Sequence, residues 1–290
     1  MEKFEYLEPT TVEEACALLR RYGDEAKAIA GGQSLIPMMR LRMVNPHYLV
    51  SLSMIASLKE MGYSDDTGLT IGAAVTHREV ESSPVVRARL SVLSETVSQV
   101  GSPPIRNLGT LAGDLCHNEC GADPPAALLA LGARVTIASP DGLRTLDLAN
   151  FFVDYFQTAL GPDEIVTQVE VPPLSPGAGA VYLKLRRRVV DPAIVGVAAC
   201  VMLAAGDGLC RDVRIALGGV GPVPFRATAA EEVLRGGAPQ DNLIQEAAQA
   251  ASEATSPVSD AFASENYRKE MTVVFVRRAL RKAVDLAKAS

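Results

Sequence analysis

Ala30-Gly31-Gly32-Gln33-Ser34-Leu35 is the first of two short glycine-rich segments, and Arg106-Asn107-Leu108-Gly109-Thr110-Leu111-Ala112-Gly113-Asp114 is the second. Each sets small residues and hydroxyls where backbone N–H groups can come close to an anion. Taken singly, Ala-Gly-Gly at a strand end is also an ordinary tight turn. Two such segments, each read in a strand-loop-helix setting, point to a pyrophosphate gripped from both sides, and so to a dinucleotide.

Working outward from the first segment, Thr11-Val12-Glu13-Glu14 reads as a capping box. The helix it opens carries Val12, Ala15, Leu18 and Leu19 on one face and stops at Gly23. Strands are expected over 26–30 and 47–52, with a short helix over 35–43 whose first turn would aim N–H groups at the loop. Around the second segment, a strand is expected over 69–75, and helical starts at Thr76 and Pro84. The second of these should run to about Val100 and be broken by Gly101-Ser102-Pro103-Pro104. Asp123-Pro124-Pro125 opens an Ala/Leu-rich helix, since Asp before Pro marks a first turn. Strands follow over 133–138 and 164–171, separated by a turn at Pro140-Asp141-Gly142.

Pro172-Pro173-Leu174-Ser175-Pro176-Gly177 reads as a linker. Beyond it, antiparallel strands are expected over 180–187, 196–203 and 213–217, then helices over 226–235, 241–254 and 265–288. Strands followed by helices suggest an α+β unit. The expected organisation is therefore 1–57 and 58–175 as two subdomains of one ligand-binding domain, and 176–290 as a C-terminal domain with a three-stranded antiparallel sheet and a helix bundle.

The chain has 290 residues, enough for several cores, and its formal net charge of −6 argues against a nucleic-acid partner. No apolar run approaches about eighteen residues, so no membrane span is expected. Met1-Glu2-Lys3-Phe4-Glu5 has no apolar signal core, which leaves the cytoplasm as the default location. The five cysteines are scattered and odd in number, which argues against a disulfide framework. Cys116, His117 and Cys120 cluster, but a zinc or iron–sulfur set takes about four ligands in close pairs. The plain loop reading is favoured there, and no metal ligand is assigned. Nor is there a Gly-x-Ser-x-Gly, His-Glu-x-x-His or Walker segment to support hydrolysis or phosphoryl transfer.

Taken together, Ala30 to Pro37, Ile105 to Asp114, Asp123-Pro124-Pro125-Ala126 and Tyr182-Leu183-Lys184-Leu185-Arg186-Arg187-Arg188 resemble the FAD-binding medium subunit of molybdenum hydroxylases. That family includes xanthine dehydrogenase and aerobic carbon monoxide dehydrogenase. Order, spacing and length match over essentially the whole chain. The resemblance implies an α+β fold: a two-subdomain FAD domain of the vanillyl-alcohol-oxidase (PCMH) type, closed on one side by the C-terminal domain. It implies that Ala30, Gly31, Gly32, Gln33, Ser34 and Leu35, with Gly109, Thr110, Gly113 and Asp114, wrap the pyrophosphate. Asp123 matches an acidic position near the cofactor, and Lys184 a lysine near the flavin ring, where a cation would stabilise reduced flavin. No residue of this chain would be catalytic in its own right.

By the same resemblance, a large subunit would hold the molybdenum cofactor and a small subunit two 2Fe-2S clusters. The assembly would be a dimer of heterotrimers that delivers electrons through FAD to an external acceptor. The family usually has Gly-Gly-Asn where this chain has Ala112-Gly113-Asp114, and often His at Gln33. A carboxylate at 114 would repel a pyrophosphate, unless it turned towards N–H groups or a ribose hydroxyl. The run after Asp114 is short, which implies no extra iron–sulfur loop of the 4-hydroxybenzoyl-CoA reductase kind. Three plainer readings stand beside these. Thr110 and Asp123 can be helix caps, Lys184 to Arg188 a solvated strand edge, and His47, His77 and His117 structural or surface residues. Two other functions also stay open: a self-contained FAD oxidase or reductase of related fold, and a flavin-free assembly subunit.

Overall fold

The computed structural model describes residues 2–206 and 208–289. The chain begins with β1 (Glu5–Leu7), α1 (Val12–Tyr22), β2 (Ala26–Ile29), α2 (Leu35–Arg40) and β3 (Tyr48–Ser51). β3 lies between β1 and β2 and runs parallel to both. Parallel neighbours need a crossover, and the first glycine segment with α2 supplies the one between β2 and β3. The segment therefore sits at the carboxyl end of β2, the usual ligand edge of a parallel sheet. The Thr11 hydroxyl caps α1 by accepting from the Glu14 N–H, while the Glu14 carboxylate accepts from the Thr10 N–H. Gly23 ends the helix with φ of 51°.

A second sheet is built from β4 (Met61–Ser64) and β5 (Gly68–Gly72), then β6 (Arg134–Ser139), β7 (Gly142–Asp147) and β10 (Ile165–Val171). The short β8 (Phe152–Asp154) and β9 (Gln157–Thr158) pair with each other. The strand order β4-β5-β10-β6-β7 is antiparallel throughout. Between β5 and β6 come six helices: α3 (His77–Ser82), α4 (Pro84–Arg89), α5 (Ser91–Val97), α6 (Pro103–Leu108), α7 (Leu111–His117) and α8 (Asp123–Leu131). Every residue of α8 is buried, as a helix apolar on all sides after its first residue, Asp123, must be. α8 packs against α5 on one side and the C-terminal sheet on the other.

That sheet has the three long strands expected, β11 (Ala178–Leu185), β12 (Val195–Leu203) and β13 (Cys210–Gly218). A two-residue β14 (Phe225–Arg226) adds to its far edge. α9 (Thr228–Leu234), α10 (Asp241–Glu253) and the 25-residue α11 (Glu265–Ala289) cover one face. They bury a second core of Val197, Val213, Ile215, Ala247, Leu280 and neighbours. Among the described residues, no helix is long and apolar enough to cross a membrane.

Three local expectations are corrected. The stretch 84–100 is not one helix, because Leu90 leaves helical geometry (φ −141°, ψ 54°) between α4 and α5. α5 itself ends at Val97, ahead of Gly101-Ser102-Pro103-Pro104 rather than at it, and Pro103 then starts α6, its fixed φ suiting a first helical position. The second glycine segment is thus entered from a helix rather than a strand. β1, β4 and β7 were not foreseen. β7 is an almost wholly exposed edge strand, so it has no apolar alternation to read.

Candidate functional site

The two glycine segments touch. A Cβ on Gly31 would collide with the Leu108 carbonyl and come within 2.7 Å of Gly109 Cα. Gly109 in turn faces His77 Cδ2 and Gln33 Cγ. Gly32 takes a left-handed conformation (φ 67°) that turns the chain into α2. The Gln33 amide donates to the Gly31 carbonyl at 3.1 Å and braces the turn from inside. The N–H groups of Gly31, Gly32, Gln33 and Ser34 donate to no backbone carbonyl among the described residues. Ser34 holds the cap position of α2, yet its hydroxyl makes no capping bond. A run of unpaired N–H groups beside a free hydroxyl is a nest for an anion.

Thr110 anchors the second segment. Its hydroxyl accepts from the Gly113 N–H at 3.0 Å and its carbonyl from the Asp114 N–H. A Cβ on Gly113 would lie 2.7 Å from that hydroxyl, so glycine is needed there for the cap itself. Backbone bonds from His77 N–H to Gly109 O and from Leu111 N–H to Val75 O tie the segment to the start of α3 and the stretch that leads into it. Thr110→Ala is expected to cost about 1 kcal/mol, read as a lowered urea midpoint of the isolated chain.

Asp123 does not cap α8; Ala122 holds that position. The Asp123 carboxylate instead accepts from the Lys184 ammonium at 2.7 Å and the Tyr182 hydroxyl at 2.6 Å. The Lys184 and Asp123 side chains are 1% and 4% exposed, and Lys184 also donates to the Gln99 carbonyl. Lys184 is therefore a partnered cation, and β11, α8 and the end of α5 are locked together through it. Of the arginines that follow it, Arg187 and Arg188 are solvent-exposed.

These groups surround two adjoining cavities of about 500 Å³ and about 220 Å³. Ala30 to Leu35, Gly109, Thr110, Gly113 and Asp114 all line the larger; Asp123 and Lys184 line the smaller. Ser34, Val100, Asp114 and His117 border both, so the two form one bent space. All twelve residues singled out in the sequence are thus brought to this space. Of the histidines read as structural or surface, His77 and His117 line it and His47 is exposed. His77 is buried, and burial with the Arg106 charge pushes its imidazole down to about 4. It is neutral at ordinary pH.

Sequence reasoning missed Lys27, Phe156, Leu160 and Glu164, which also line the larger cavity. Phe156 stands at φ 54° on the β8–β9 turn, its ring centroid 5.2 Å from that of His117. The Asn118 amide donates to the Asp154 and Gln157 carbonyls and pins that turn over the cavity. An aromatic pair, Tyr155-Phe156, in a short turn carries no sequence signal of this placement. The Cys116 and Cys120 thiols nearby are pushed up to about 12 and about 11, chiefly by burial. All five cysteines are free.

Comparison with known proteins shows the family of the chain. Residues 2–174 match the family described as the FAD binding domain in molybdopterin dehydrogenase, and residues 180–283 the CO dehydrogenase flavoprotein C-terminal domain. The chain belongs to the FAD-binding medium-subunit family of the molybdenum hydroxylases. It is 36% identical to the carbon monoxide dehydrogenase medium chain of Hydrogenophaga pseudoflava, over 97% of each. Against the alpha subunit of the 6-hydroxypseudooxynicotine dehydrogenase complex of Paenarthrobacter nicotinovorans it is 37% identical, over 98% of this chain and 96% of that one. In structure it is similar to carbon monoxide dehydrogenase from Hydrogenophaga pseudoflava (TM-score 0.94, 37% identity, 97% of each chain). Quinoline 2-oxidoreductase from Pseudomonas putida 86 is also similar, with TM-score 0.91 and 32% identity over 99% of this chain and 98% of that one. The family consists of subunits of dehydrogenase complexes, so the protein is an oxidoreductase subunit with an FAD domain.

Proposed function

We propose that this chain holds FAD without a covalent link and serves as the electron-transfer subunit of a molybdenum hydroxylase complex. The observation that carries the reading is the run of unpartnered N–H groups from Gly31 to Ser34, pressed against the second glycine segment at one cavity wall. That wall suits a pyrophosphate, and a space of about 500 Å³ lies within the range of about 300–1,000 Å³ usual for cofactor sites.

The chain's own residues bind and orient. Gly31 to Ser34 would take the phosphates, with Gly109, Thr110 and Gly113 holding the opposing loop in register. Asp123, Tyr182 and Lys184 fix the C-terminal sheet against α8, closing the smaller cavity. Because Lys184 is already paired with Asp123, the pair adds little net positive charge beside the ring position. When bound, FAD would supply the exchange between one-electron and two-electron chemistry. Electrons would come from 2Fe-2S clusters on a small subunit, fed by molybdenum on a large one, and leave to an external acceptor.

Within this reading, 1–57 and 58–175 are the two halves of the FAD domain and 176–290 is its cover. Free cysteines suit a reducing compartment such as the cytoplasm. The test is stopped-flow mixing of the flavin-loaded chain with its pre-reduced iron–sulfur partner under anaerobic conditions. Rapid bleaching of the flavin band, absent when the partner is oxidised, supports the reading. Flavin reduction by an organic substrate with no partner present would replace it with a self-contained oxidase.

A further inference from the structure

Asp114, in the first turn of α7, is the one residue of the two glycine segments whose chemistry conflicts with a diphosphate ligand, and its surroundings resolve the conflict. The Asp114 carboxyl lies where the two cavities meet, beside Ser34 and His117. Its Oδ2 is buried and has no hydrogen-bond partner among the described residues. The nearest basic group, His77 Nε2 from α3, is 3.9 Å away and neutral, so it offers no ion pair. Cys116 on the same helix is a protonated thiol, and burial likewise lowers His117. Beyond α7 stand Glu119 on the connection to α8, Asp123 on α8, and Tyr182 and Lys184 on β11. Lys184 is committed to Asp123. The carboxyl therefore faces two acids and a cation already neutralised. Burial first, then Asp123 and Glu119, push it up to about 7.

Resting on the FAD reading above, we propose that Asp114 enters the flavin complex as the neutral acid, so that FAD binding takes up one proton from solvent. A carboxylate there would face the diphosphate across the cavity and repel it. The neutral acid keeps one O–H to donate and removes the repulsion. The added negative charge of the ligand raises the carboxyl further, and the proton is bound with the cofactor. FAD affinity then falls as pH rises above the midpoint of the flavin-free chain. Burial lowers the two cavity histidines, His77 and His117, and raises the Cys116 and Cys120 thiols, so each of these groups is moved away from that midpoint.

The experiment is calorimetric titration of the full chain, stripped of flavin, with FAD at about pH 6 and about pH 8.5. Two buffers of different ionisation enthalpy count the protons. For the wild type, Kd should rise by about tenfold or more across this range, with uptake approaching one proton per FAD at the higher pH. Asp114→Asn, an isostere that cannot ionise, should take up no proton and show the same Kd at both. A pH-independent wild-type Kd without proton uptake overturns the proposal, as does undiminished uptake in Asp114→Asn. Failure of both proteins to bind FAD even at about pH 6 overturns the cofactor reading and this proposal with it.

Discussion

Gly31→Ala is expected to empty the chain of flavin and to destabilise it by about 2–3 kcal/mol, the cost of forcing a methyl group into a filled contact. The added Cβ would meet backbone, the Leu108 carbonyl and Gly109 Cα, rather than the end of a side chain that can swing away. Relief requires the two loops to part, and their contact is what sets the unpaired N–H groups of Gly31 to Ser34 against the second segment. Gly62→Ala is the matched control, since its Cβ would find only Thr70 Oγ1 at 3.6 Å. It should leave flavin content unchanged. Flavin-to-protein absorbance ratios and thermal melts of the two purified variants make the comparison.

Lys184→Met carries the second large effect. It strips the cation from a pair whose side chains are 1% and 4% exposed, leaving the Asp123 carboxylate with the Tyr182 hydroxyl alone. Removing one partner of a buried pair typically costs about 3–5 kcal/mol, well above the net worth of the intact pair. The pH dependence has a definite sign. Burial already raises Asp123, with Lys184 the main opposing influence, so without Lys184 the carboxyl rises further. The variant's native state then binds a proton that its unfolded state does not, and its stability increases as pH falls. The deficit against wild type should be larger at about pH 8 than at about pH 5 in urea melts. Adding Asp123→Asn should recover most of it. Equal deficits at both values would show that the ammonium matters only for packing.

The parts of this fold legible in the sequence were those whose signal is local. The Thr11 cap, Gly23 stop and Asp123-Pro124-Pro125 start depend on a few neighbouring residues, and each marked an element. The glycine segments were legible as anion loops because glycine and small hydroxyls are the signal themselves. Their direct contact was not, because it pairs Gly31 with Leu108 and Gly109 across a long stretch of chain. The same limit hid the Asp123–Lys184 pair. Each residue was marked as near a cofactor, but only packing of β11 on α8 shows that each is the other's partner. β7 and the Tyr155-Phe156 turn escaped for a different reason: an exposed edge strand and a two-residue turn are too short or too exposed to show periodicity. The helix break at Leu90 falls at a leucine, a residue that ordinarily continues a helix, so the tertiary contacts of α4 and α5 override its propensity.

The central claim is that the two joined loops hold FAD. Its most direct test is the absorbance spectrum of the purified full chain, followed by acid release and chromatographic identification of what is freed. The account predicts a yellow protein that releases about one FAD per chain into the supernatant. A colourless chain that FAD cannot reconstitute would contradict it, and so would a flavin that stays with the precipitate.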